Sequence, residues 1–131
     1  MLEIKPIQTK EEQKNICGLC KIEFDPDCLA YGAREDDKLL GIAQFRIFGG
    51  YAVIYDLINA FGVDDLDALI IMGKATLNFI DLCGVKEVIM KEKNMKLADI
   101  LGFEKYEDEN GIYKLDLTGY FDSPCQKTNA D

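Results

Sequence analysis

The sequence predicts an α+β fold, with one mixed, mainly antiparallel sheet and helices packed on it. Three observations carry this. Apolar residues alternate through "CLAYGAR", "LLGIAQFRIF" and "YAVIYDLIN", switch to helical spacing between Asp65 and Cys83, and return to short strands after Gly84. The Gly49–Gly50 pair between two apolar runs is a hairpin signal. The run "VKEVIM" follows the long helix directly, so its partner strand should be parallel, reached through a right-handed crossover.

Taken in order, "LEIKPI" alternates and should open the sheet. Thr9 starts "TKEE", a capping box with Glu12 at the third helical position. The helix it opens is expected to run to about Lys21, with Ile16, Leu19 and Cys20 on one side, and to end before "FDPD", where Pro26 restricts Asp25 to extended geometry. Three strands with short turns follow as an antiparallel meander, the last being "YAVIYDLIN". In the long helix Leu66, Leu69, Ile70, Gly73, Leu77 and Ile80 form one apolar face, and Met72, Thr76, Phe79 and Cys83 a second. Only Asp67, Lys74, Asn78 and Asp81 remain as a polar stripe, so the helix should be packed on two sides. Gly73 costs about 1 kcal/mol against alanine in mid-helix, which points to a close approach, expected against a strand. Gly84 supplies a left-handed cap with Val85 as its apolar partner, and Gly102 with Phe103 repeats the device after the short helix "NMKLADIL". "FEKYE", the turn "DENG" and "IYKLDL" close the domain as a hairpin.

The 131 residues, 48% hydrophobic and 30% charged, make one domain that can bury a core without staples. That domain is expected over residues 1–118, with an irregular tail at 119–131. No apolar run approaches the roughly 20 residues that span a bilayer. "MLEIKPIQTKEEQ" lacks the basic patch and apolar core of a signal peptide. The expectation is a cytoplasmic protein away from membranes. A net charge of −9, from 24 acids against 15 bases, argues against nucleic acid as a partner. It favours cationic small molecules or basic proteins, with solubility as the plain alternative.

Five cysteines and no histidine read as free thiols in such a compartment. "CGLC" at Cys17–Cys20 has redox or metal spacing, but it falls inside a helix rather than at the N-terminus that lowers a thiol pKa. Zinc would need a fourth ligand from Cys83 or Cys125. Two buried thiols and no metal are expected.

The element order, with "NMKLADILGFEKYEDENGIYKLDL", resembles the GNAT superfamily of acyl-CoA-dependent N-acyltransferases over roughly residues 2–117. The resemblance implies a fourth strand ending in Asp-Leu, matched by Asp56-Leu57. It also implies a phosphate-binding Arg/Gln-x-x-Gly-x-Gly/Ala segment at the start of the long helix, which falls on Asp64–Leu69. Those residues read Asp-Asp-Leu-Asp-Ala-Leu, so the basic and glycine positions are replaced. A helix N-terminus favours anions, and here its own carboxylates occupy it.

By the same resemblance Asp56 is the candidate general base. The candidate acetyl-CoA contacts are Leu57, Ile58 and Asn59 on the strand, then Asp65, Leu66, Asp67, Ala68 and Leu69 at the helix start, and Asn94. The tyrosine that often protonates the leaving thiolate falls near Ala98 and is missing, while Tyr106 and Tyr113 lie in strands. The usual pair of helices after the first strand is reduced to one, so acceptor identity does not carry over. A small amine acceptor is implied and a homodimer is compatible. Two readings follow: a GNAT-type acetyltransferase using acetyl-CoA, or a GNAT-like binding or regulatory domain that has lost CoA binding.

Overall fold

The computed structural model describes residues 1–92, 94–106 and 111–122. Its elements are β1 (Leu2–Pro6), α1 (Lys10–Leu19), β2 (Leu29–Glu35), β3 (Lys38–Ile47), β4 (Tyr51–Asn59), α2 (Leu66–Leu82), β5 (Glu87–Lys91), α3 (Met95–Leu101), β6 (Glu104–Lys105) and β7 (Ile112–Asp116). They build one sheet in the order β1-β2-β3-β4-β5-β7-β6. Every pair is antiparallel except β4 with β5, the parallel pair that the crossover through α2 requires. The expected α+β architecture is the one observed.

Local chemistry explains the boundaries. The Thr9 hydroxyl accepts from the Glu12 N–H at 3.1 Å and starts α1. The helix stops at Leu19, about two residues early, and Pro26 is not the cause. Lys21 takes a left-handed φ of 60°, and the Ile22 N–H turns back to the Cys17 carbonyl at 3.0 Å. Leu19 is therefore 58% exposed and does not join Ile16 and Cys20 in the core. Gly84 and Gly102, at φ 85° and 94°, close α2 and α3 as expected. Val85 and Phe103 bond back to the Ile80 and Ala98 carbonyls and bury their side chains. Cys83, expected on an apolar flank, sits in the α2 cap and is exposed.

The helices cover opposite faces of the sheet. On β3, Ile42 packs with Ile16 and Cys17 of α1 and with Cys20 at its C-terminal cap, while its neighbour Ala43 joins the main core with Met72, Leu77 and Ile80 of α2. Gly73 meets the expected strand and a helix besides. A Cβ there would stand 2.9 Å from Leu101 of α3 and 3.2 Å from Leu57 of β4, so the glycine admits a helix as well as a strand. Past residue 118, Tyr120 packs on the core and its hydroxyl donates to the Leu101 carbonyl at 2.6 Å. The "DENG" turn at 107–110 and the residues from 123 onward lie outside the described residues. Among the described residues no helix is long and apolar enough to cross a membrane.

Gly41 is a position where β3 and β4 come very close. A Cβ on it would overlap the Ile58 carbonyl oxygen and lie 3.2 Å from the Asn59 Cα, all backbone that cannot swing aside. Gly41→Ala should therefore lower stability by about 1–3 kcal/mol, read as a fall in the denaturant midpoint. An unchanged midpoint would show that the strands part freely here.

Candidate active site

The site is built where β4 departs from regular pairing. On the β3 side, Gln44 opposes Asp56 and Phe45 opposes Ile54, which leaves Tyr55 as the extra residue of a bulge. On the β5 side, the ladder ends at Ile54 opposite Met90, while β4 runs on to Asn59. The two strands part there. The resulting cleft, about 590 Å³, is lined by Tyr55, Asp56, Leu57 and Ile58 of β4, by Lys91, Glu92, Gly111 and Ile112, and by Lys21 and Ile22 just past the end of α1. A second cavity of about 320 Å³ opens beside Glu23, Phe24, Asp25, Pro26 and Gln44, and shares Tyr55 and Asp56 with the first. Asp56 stands at the junction of the two.

A buried amide relay holds Asp56. The Gln44 Nε2 donates to Asp56 Oδ2 at 2.9 Å and to the Glu23 carbonyl at 3.0 Å. The Gln44 Oε1 accepts from Gln13 Nε2 at 2.8 Å and from the Asp25 N–H at 3.3 Å. Gln13 in turn donates to the Asp25 carbonyl at 3.2 Å, and its own oxygen accepts from Lys10 Nζ at 3.1 Å. Both amides are about 1% exposed, so a broken link would strand a buried polar group at roughly 1–3 kcal/mol. The same bonds pin the α1–β2 connection around residues 23–25 against the carboxylate. Burial pushes the Asp56 pKa above the ordinary carboxylate value, and Asp25 and Glu23 add to the rise. The Gln44 bond and Lys91 pull the other way.

Sequence pattern singles out neither glutamine, although each leaves a trace. Gln13 occupies the α1 face shared by Ile16, Cys17 and Cys20, and Gln44 interrupts the apolar run "LLGIAQF". Tyr55 is a third residue that pattern does not flag. Its ring faces Lys91, with the Nζ 5.4 Å from the centroid.

The other sequence candidates fall into groups. Leu57 and Ile58 line the cleft with Asp56. Asn59, Asp65 and Ala68 form a closed hydrogen-bonded loop. The Asn59 side chain accepts from the Asp65 N–H at 3.1 Å and donates to the Asp65 carbonyl at 3.2 Å. The Asp65 carboxylate accepts from the Ala68 N–H at 3.0 Å as the cap of α2. Leu66, Asp67, Leu69 and Asn94 line neither cavity. The Asn94 oxygen caps α3 through the Leu97 N–H at 3.2 Å.

A CoA-type donor can be tested against this geometry in two parts. The pantetheine arm, extended and carrying two amides, fits a cleft walled by strand backbone that has left its ladder. The nucleotide diphosphate does not fit the start of α2. Of the N–H groups between residues 63 and 69, those of Val63, Asp65, Ala68 and Leu69 already bond within the chain. The carboxylates of Asp64, Asp65 and Asp67 stand among them, with Asp64 and Asp67 exposed.

The thiols are not poised for chemistry. Cys17, Cys20 and Cys28 are buried, and burial is the first cause that lifts them to about 11, about 12 and about 12. Cys17 and Cys20 lie beside Ile16 as expected. Metal analysis of tag-free protein should find less than one zinc or iron per chain. A stoichiometric metal lost on mutating Cys17 would overturn that prediction.

No family's sequence profile matches the chain, and no curated protein matches it. Solved structures do. The chain is similar to the PaiA N-acetyltransferase of Thermoplasma acidophilum, solved in complex with coenzyme A, at 12% identity and a TM-score of 0.72, covering 88% of this chain and 99% of that one. It is similar to the ribosomal-protein-alanine N-acetyltransferase of Escherichia coli, at 11% identity and 0.70, covering 88% and 94%. It is also similar to a GNAT family acetyltransferase of Elizabethkingia anophelis with acetyl-CoA bound, at 13% and 0.63, covering 88% and 98%. At these identities the agreement is one of architecture, and it spans nearly the whole of each neighbour: the chain has the GNAT acetyltransferase fold.

Proposed function

We propose that the chain is an N-acetyltransferase that moves an acetyl group from acetyl-CoA to a small amine. The observation that carries this reading is Asp56, a carboxylate of raised pKa held by Gln44 where two cavities meet. A base poised above the ordinary carboxylate range takes a proton from an amine more readily than an exposed aspartate does. The amine enters beside Glu23 and Asp25 and loses its proton to Asp56. It then meets the thioester carbonyl presented from the cleft between β4 and β5. In this reading Leu57 and Ile58 flank the acyl end of the donor, and the segment from Asn59 to Leu69 lies toward its far end.

The second reading, a GNAT-like binding domain without acyl transfer, is favoured by one observation, the self-bonded start of α2. Calorimetric titration with acetyl-CoA, followed by a thiol-release assay over a panel of primary amines, separates the two. Binding with amine-dependent release supports the enzyme. Saturable amine binding with neither acetyl-CoA binding nor release supports the binding domain.

A further inference from the structure

Resting on the acetyltransferase reading, we infer that the donor is held by its pantetheine arm alone, so that the chain accepts S-acetylpantetheine about as well as acetyl-CoA. The cleft supplies what the arm needs. β4 continues through Tyr55–Asn59 beyond its last parallel partner, while β5 ends at Lys91, paired with Ile112 of β7. An extended arm with two amides can lie there as a short extra strand.

Beyond the cleft the surroundings change character. The chain leads from Ile58 into Asn59, whose side chain grips the Asp65 backbone through both its N–H and its carbonyl. That clamp closes the turn, and the Asp65 carboxylate then closes the first turn of α2. A diphosphate placed here would displace both sets of bonds and face three carboxylates. From Ile47 to Gly73 the chain has no lysine or arginine. Among the described residues, Lys21, which also lines the cleft, reaches this loop, its Nζ 5.1 Å from the centre of the Phe61 ring. One exposed lysine does not offset three carboxylates for a polyanion.

The chemistry balances without the nucleotide. The amine nitrogen attacks the thioester carbonyl, a C–N bond forms, and the C–S bond breaks. The amine proton passes to Asp56, and the pantetheine thiolate leaves and takes a proton from water. No atom of the adenosine half takes part, so its loss affects binding only.

The test is calorimetry on the full chain with three ligands: CoA, pantetheine and adenosine 3′,5′-bisphosphate. We expect the dissociation constants of CoA and pantetheine to agree within about fivefold. The bisphosphate should give no heat where pantetheine saturates. The catalytic counterpart is a KM for S-acetylpantetheine within about tenfold of that for acetyl-CoA. CoA binding at least 100-fold tighter than pantetheine, or bisphosphate displacing CoA, overturns the inference and leaves the acetyltransferase reading standing. Absence of binding by CoA and pantetheine alike overturns both.

Discussion

Replacing Asp56 with asparagine lowers kcat by about 10²–10⁴-fold, the range expected when a positioned general base is removed. The asparagine oxygen can still accept the Gln44 bond, so the relay and the pinned loop survive. The rate profile carries a second signature. Burial raises the Asp56 pKa, so in the wild type the acidic limb of kcat/KM lies above the ordinary carboxylate range. Gln44→Leu removes a bond that favours the ionised form and should move that limb higher still. Stability moves in the opposite sense. A raised folded-state pKa means that the folded chain holds its proton to higher pH than the unfolded chain does. The stability this contributes is present below the unfolded pKa and is lost as pH rises through the folded one. Asp56→Asn should therefore melt no lower than the wild type at pH 7, with any gain shrinking as the pH falls through the carboxylate range. Retention of activity within about threefold would show that Asp56 is not the base.

That Asp56 stands out in the sequence while its support does not has a physical explanation. Asp56 interrupts an apolar run and belongs to a recognisable Asp-Leu pair, so local pattern is enough to flag it. Gln44 is defined by what it touches, and its partner Gln13 lies 31 positions earlier across the sheet face. Period-two and period-3.6 patterns report which face is buried, not which buried polar group will find a partner. The strand order follows from local signals because the turns announce themselves: Gly84 and Gly102 take the left-handed φ that glycine supplies cheaply, and the Gly49–Gly50 pair parts two apolar runs. Lys21 reaches the same left-handed region without being glycine, so the end of α1 leaves no mark in the sequence and Pro26 offers itself as a false one. The α2 start is legible for the opposite reason. Three aspartates within four residues at a helix start announce a cap and an anion-repelling surface whatever the rest of the fold does.

That start can be rewritten. The triple change Asp64→Arg, Asp65→Gly, Asp67→Gly exchanges three negative charges for one positive and frees the Ala68 N–H from its carboxylate. Asp65 has a φ of −137°, an extended conformation that glycine adopts without strain, and glycine caps a helix within a few tenths of a kcal/mol of aspartate. The glycine that replaces Asp67, in the first turn of α2, costs about 1 kcal/mol, so melting must be followed alongside binding. A charge pair at ~4 Å near a protein surface is worth up to about 4 kcal/mol before screening, which leaves ample margin for a measurable gain. We expect the wild type to bind acetyl-CoA weakly, in the high micromolar range or above. The triple variant should bind at least about tenfold tighter, a gain of about 1.4 kcal/mol. Pantetheine is the control, because it never reaches the rewritten turn and its affinity should not move. A rise for both ligands would trace the gain to a reshaped cleft rather than to the phosphates. Tight wild-type binding that the triple variant weakens would show that the aspartates belong to a working donor site, with Asn59 and Asp65 placed to build it rather than to close it.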